Sequence, residues 1–155
     1  MPVDLAASAR IIAAAHRDTP GGLLPALHAV QDALGHVPPA AVPGIAEEFN
    51  LSRAEVHGVL TYYHHFRSTA PAPRVLQVCR AEACQAMGAD ALLAHAQQRL
   101  GCGLHGRSAD GGVTLEAAYC LGLCASSPAV MLNDEVHARM TPERLDELLG
   151  TEVPA

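Results

Sequence analysis

The chain has no tryptophan, three tyrosines and two phenylalanines, so it offers little aromatic surface for stacking bases. It also has no lysine, and its ten basic residues are arginines scattered along a chain of net charge -6. Without a basic cluster, nucleic acid is excluded as the expected partner. No apolar run approaches the roughly 18 residues of a membrane span. No basic segment precedes an apolar stretch at the N-terminus, so no signal peptide is expected and the expected location is cytoplasmic. There is no C-x-x-C, the spacing of a dithiol oxidoreductase and of the usual zinc knuckle. Paired carboxylates, a nucleophile beside a base, and a glycine-rich phosphate loop are missing too, so the chain alone is not expected to catalyse a reaction. At 155 residues, half of them hydrophobic, it can form one compact protein or two small lobes.

What is present is a pattern of cysteines. Four of the five form two close pairs, Cys79-x4-Cys84 and Cys120-x3-Cys124. With no secretory address and an odd count, reduced thiols are expected rather than a disulfide framework. A single buried cysteine is commonly a small hydrophobe. Two pairs at the ends of predicted strands make a metal centre of Cys79, Cys84, Cys120 and Cys124 the better reading. A gap of four opens the ligand set of plant-type 2Fe-2S ferredoxins, where the loop must pass around two irons and their sulfides. The spacing therefore favours a 2Fe-2S cluster over a structural zinc module, and a metal-free thiol redox sensor is the third alternative. In the second loop Gly122 would let backbone amides approach sulfur, while Leu121, Leu123 and Ala125 would exclude water. Cys102, between two glycines at a helix end, has no partner at ligand spacing and is expected to be a free thiol.

The small, proline-bearing stretch 68–73 divides the chain into two expected domains, 1–70 and 71–155. The first reads as helices over 4–16, 23–34 (stopped by Gly35) and 40–49, with a fourth starting at Ser52, where Ser52-Arg53-Ala54-Glu55 is a capping box. The second reads as a strand over 74–78 delivering Cys79, a helix over 89–100, and a strand over 113–119 delivering Cys120. Strands over 129–132 and 135–138 and a last helix from Pro142 follow. The expected class is α+β, a helical lobe followed by a β-α-β-β-α domain of thioredoxin-like order, with the cysteines on loops beyond strand ends.

No histidine lies within the ligand loops, which excludes a Rieske centre. His16, His28, His36, His57, His95, His105 and His137 are expected to be solvated or capping residues. His64 and His65 lie in Thr61–Arg67, a run rich in aromatic and imidazole side chains. It is expected to pack one lobe on the other, with a proton-coupled role for either histidine as the alternative.

Together, Cys79-Arg80-Ala81-Glu82-Ala83-Cys84 and Cys120-Leu121-Gly122-Leu123-Cys124-Ala125-Ser126-Ser127-Pro128 resemble the thioredoxin-like 2Fe-2S ferredoxins. These serve as the small cluster subunit of respiratory complex I, with relatives in NAD-linked hydrogenases and formate dehydrogenases. The resemblance spans nearly the whole chain and implies that the four paired cysteines bind the cluster. It also implies a partner flavoprotein carrying FMN and binding NAD(H), and a cis peptide at Ser127-Pro128. The segment Tyr62-Tyr63-His64-His65-Phe66-Arg67 is most similar to the gamma subunit of soluble NAD-dependent formate dehydrogenase. That similarity implies a larger complex with a molybdenum-containing catalytic subunit. The equivalent subunits of NADH:quinone oxidoreductase and of an NAD-linked hydrogenase are the alternatives.

Overall fold

A computed structural model describes residues 4–150, so the last five positions of the expected second domain lie outside the described residues. The chain divides into two compact units, Met1–Ala70 and Pro71–Ala155. In the first, α1 (Leu5–Ala14), α2 (Leu23–Leu34), α3 (Val42–Glu48) and α4 (Arg53–Tyr62) enclose a core rich in small side chains. Ala9 and Ala13 of α1, Ala26 of α2 and Ala46 of α3 are buried there with Leu27, Val30, Ile45 and Val56. Asp4 starts α1, accepting from the amides of Ala6 and Ala7 at 3.0 and 3.2 Å. Gly35 ends α2 at φ +77°, a left-handed cap that glycine adopts without steric cost. The helix expected over 40–49 is split into a 3-10 turn, Pro39–Ala41, and α3. Pro39 opens the first and Pro43 sits in the first turn of the second, where a missing amide hydrogen costs no helical bond.

The capping box is formed: Glu55 accepts from the Ser52 amide and hydroxyl, each at 2.8 Å, and donates its own amide to Ser52 Oγ. Hydrogen bonds from the Ser52 amide and then its hydroxyl hold the Glu55 carboxyl below its ordinary value. A depressed folded-state pKa contributes stability that is present above the unfolded value and lost as pH falls through the folded one. Ser52→Ala is expected to cost about 1 kcal/mol in urea denaturation. The stability difference between wild type and Glu55→Gln is expected to shrink on acidification below the ordinary carboxyl range.

The segment after α4 folds back on its own unit. Buried Gln31 of α2 donates to the His65 carbonyl at 2.8 Å and accepts from the Arg67 amide at 2.7 Å. His28 lies 5.2 Å from His65 and 4.9 Å from Phe66 between ring centroids. The run is thus strapped along α2 by a polar residue that satisfies two backbone groups at once.

In the second unit, β1 (Arg74–Cys79), β2 (Val113–Ala118), β3 (Val130–Leu132) and β4 (Glu135–His137) form one sheet in the order β2-β1-β3-β4. β1 and β2 are parallel, and the remaining pairs are antiparallel. Leu76 and Val78 of β1, Val113 and Leu115 of β2, and Val130 and Leu132 of β3 bury one face. The helices α6 (Ala89–Leu100) and α7 (Pro142–Gly150) contribute Leu92, Leu93, Ala96, Leu100 and Leu145 to the same core. Arg74 donates to the carbonyls of Leu148 and Leu149, each at 3.0 Å, placing a cation at the carbonyl end of α7. The architecture is α+β, as expected, with one addition: α5 (Glu82–Ala86), a short helix that carries Cys84 and begins where the spacing suggested a loop. The Ser127-Pro128 peptide is cis.

Candidate iron-sulfur site

Parallel pairing explains how the two cysteine pairs meet. In the β1–β2 register Cys79 stands opposite Ala118, so Cys79 and the segment leading to Cys120 leave the same edge of the sheet side by side. The Cys79 amide bonds to the Ala129 carbonyl at 3.1 Å, which ties the loop before β3 to the same edge. α5 lies against the 3-10 turn Cys124–Ser126 and so brings Cys84 toward the second pair. Cys79 and Cys84 are buried with Ala89 and Ala129, and Leu121 and Leu123 pack against them.

The Cys120 and Cys124 sulfurs are 3.7 Å apart. A tetrahedral ion with metal-sulfur bonds of about 2.3 Å has ligand edges of about 3.8 Å, so this pair spans one such edge. Among the described residues no three His, Cys, Asp or Glu side chains converge as ligands of a single ion. The thiols hydrogen-bond within each pair, Cys79 with Cys84 and Cys120 with Cys124, and the charges of Cys79 and Cys124 act across the pairs. Four cysteine sulfurs are the donor set of a 2Fe-2S cluster, and the residues present fit that group.

Amides are aimed at the sulfurs. Burial pushes the Cys79 thiol up, but hydrogen bonds from the Ala81 amide, the Cys84 thiol and the amides of Cys120 and Leu121 outweigh it, bringing Cys79 below its ordinary value. Burial and the bond to Cys79 raise Cys84, against a bond from the Ala129 amide. Cys124 is raised by its bond to the Cys120 sulfur and by that group's charge. The Gly122 amide donates to Cys120 Sγ at 3.4 Å, with Gly122 at φ +77°. Cys120 itself holds φ +86°, a conformation that costs a non-glycine residue of order 1–3 kcal/mol and persists where the surrounding structure over-determines it. Such amides stabilise thiolate and tune a bound centre.

The two pairs differ in exposure: Cys79 and Cys84 are buried, whereas Cys120 and Cys124 are exposed. Leu121 and Leu123 are half-buried as expected of water-excluding residues, but Ala125 is exposed and does not share that role. Cys102 is half-buried against the α6 side of the core, where burial raises its thiol. Two histidines depart from the solvated reading. His95 meets Asp146 at 3.0 Å, and the buried Nε2 of His137 has no hydrogen-bond partner among the described residues.

Residues 9–152 match the family model described as thioredoxin-like 2Fe-2S ferredoxin. The chain is 32% identical over 134 residues to a subunit of the NADH-quinone oxidoreductase of Pseudomonas aeruginosa, covering 86% of this chain and 81% of that one. It is 33% identical over 138 residues to an NADH-quinone oxidoreductase subunit of Rhizobium meliloti, covering 88% and 82%. Among solved structures, an NAD+-reducing NiFe-hydrogenase in its air-oxidised state superposes with a TM-score of 0.67 at 26% identity. That match covers 83% of this chain and 22% of the hydrogenase chain.

Proposed function

We infer, from the premise that this chain belongs to the thioredoxin-like 2Fe-2S ferredoxin family, that it is the electron-carrier subunit of an NAD(H)-linked complex, holding its cluster on Cys79, Cys84, Cys120 and Cys124. The observation that carries this reading is the convergence of two thiol pairs at the ends of parallel strands, with amides directed at their sulfurs. When bound, a 2Fe-2S cluster supplies one-electron chemistry. The chain's own residues supply the environment. Cys79 and Cys84 would anchor one side in the protein interior, and Cys120 and Cys124 would present the other at the surface. The Ala81, Cys120, Leu121, Gly122 and Ala129 amides would neutralise part of the sulfur charge.

A nicotinamide exchanges electrons in pairs as hydride, so a partner flavoprotein carrying FMN and binding NAD(H) would convert pairs to single electrons. In this reading the first unit is a docking lobe. In its favour, Ile11, Tyr62 and Tyr63 are exposed, and a groove of about 330 Å³ is lined by Leu23, Leu24, Phe49, Leu51, Val59 and Tyr63. No helix among the described residues is long and apolar enough to cross a membrane. The host complex we propose is a cytoplasmic NAD-dependent formate dehydrogenase with a molybdenum-containing catalytic subunit, on the strength of Tyr62–Arg67.

The names of the similar proteins favour a second reading, as the equivalent subunit of an NADH:quinone oxidoreductase or an NAD-linked hydrogenase. Affinity purification of the tagged chain from its native host separates them. Co-purification of a flavoprotein and a molybdenum subunit, with formate-dependent reduction of NAD+, is the expected result. Quinone reductase activity or a nickel-containing partner would transfer the assignment. A chain recovered without any flavoprotein would overturn the subunit reading.

A further inference from the structure

The segments Cys79–Cys84 and Cys120–Cys124 contain one basic residue between them, Arg80, and one acid, Glu82, which is exposed. Arg80 directly follows a cysteine, and its backbone is pinned on both sides by neighbours of the others. Its amide donates at 2.7 Å to the carbonyl of Ala118, two residues before Cys120. Its carbonyl accepts at 2.9 Å from the side chain of Gln85, next to Cys84. The side chain is only 31% exposed, and its buried Nε has no hydrogen-bond partner among the described residues. Its ion pair with Asp90, in the first turn of α6, is long at 3.4 Å and rests on a 65% exposed carboxylate. Consecutive Cα atoms are about 3.8 Å apart, so the Arg80 backbone adjoins Cys79, and its partly buried guanidinium is screened less by salt than an exposed one.

We propose that Arg80 is a positioning residue that sets the reduction potential of the cluster, with Asp90 as its counterweight. The proposal rests on the four-cysteine assignment. Accepting one electron adds one unit of negative charge among the four thiolates. A fixed cation beside them favours the reduced state and raises the potential, as Coulomb's law requires in a partly buried site. Asp90 draws the guanidinium toward solvent and offsets part of its charge. Arg80 therefore acts through charge and placement, without ligating iron.

The test is a potentiometric titration of the full-length, cluster-loaded chain followed by EPR, with iron and labile sulfide measured first in each variant. Arg80→Gln is expected to lower the ratio of reduced to oxidised cluster at fixed potential about tenfold, about 59 mV for one electron. Arg80→Lys, which keeps the charge, is expected to stay close to wild type, and Asp90→Asn to move the potential upward. Arg99→Gln removes the same charge from the far end of α6, where Arg99 pairs with Asp146, and is expected to leave the potential in place. Equal potentials for Arg80→Gln and Arg99→Gln with full cluster content would overturn the proposal. So would a fall with Arg80→Lys as deep as with Arg80→Gln. Should Arg80→Gln not assemble, Asp90→Asn decides: an upward shift supports the role and an unmoved potential rejects it. A wild-type chain without iron and sulfide would refute the four-cysteine assignment, a separate failure from an unshifted potential.

Discussion

Cys84→Ala is expected to leave the purified chain with background iron and labile sulfide and no visible charge-transfer absorption. Cys84 is buried among Cys79, Ala89 and Ala129, away from solvent that could supply a replacement ligand. Removing its sulfur also leaves the Ala129 amide without its acceptor, an unsatisfied buried donor costing about 1–3 kcal/mol. Serine is expected to rescue only in part, because its hydroxyl is a far weaker acid than a thiol and ionises at greater cost even on a metal. Cys102→Ala provides the contrast: it removes a core-packing thiol away from the pairs and is expected to keep full iron and sulfide content. Iron content unchanged in Cys84→Ala would remove this residue from the ligand set.

Proton competition bears on the same experiment. Cluster ligands bind as thiolates, so loading releases protons and strengthens as pH rises. Cys84 and Cys124 are held above the ordinary thiol value, the first chiefly by burial and the second by its bond to the Cys120 sulfur. Cys79 lies below that value because, against the effect of burial, its thiolate is favoured by the Ala81 amide and the Cys84 thiol. Reconstitution in mild acid is expected to be poorer than at neutral pH, with the cost falling on the two raised thiols.

The strand ends were legible because alternation is a backbone property. Val75, Leu76, Gln77 and Val78 declare a half-buried strand, and the cysteine after them can only emerge at its end. The capping box at Ser52 and the stop at Gly35 were legible for the same local reason. α5 was not, since the four residues between the two cysteines satisfy a ligand loop and a helical turn equally well. Its composition, Glu-Ala-Cys-Gln-Ala, was the available signal. The difference in exposure between the two pairs also escaped, because it depends on what covers each loop. Cys79 and Cys84 belong to a buried cluster against which Leu121 and Leu123, distant in sequence, are packed. Gln31 shows the limit in another form. A glutamine on a helix reads as solvated, and only the return of the chain 34 residues later supplies the carbonyl that buries it.

Leu76→Ala is expected to cost about 3 kcal/mol, within the 2–5 kcal/mol typical of a buried Leu-to-Ala change. Leu76 is fully buried on β1, the strand that pairs on both sides, and stands opposite Leu115 of β2 and Leu132 of β3. A cavity there has its neighbours on three strands, so collapse of one side chain cannot fill it. Out of a total stability of about 5–15 kcal/mol, a loss of that size moves the urea midpoint well below wild type with little change in slope. Because Cys79 lies three residues along the same strand, loss of β1 separates the two thiol pairs. Visible absorption of the loaded protein and far-UV circular dichroism of the second unit are therefore expected to fall together, at a lower denaturant concentration than in wild type. Ile11→Ala, at a 74% exposed position of α1, is expected to change stability by no more than about 0.5 kcal/mol. If Leu76→Ala lost its colour well before its secondary structure, the cluster would be held by its loops alone. The sheet would then contribute only their starting points.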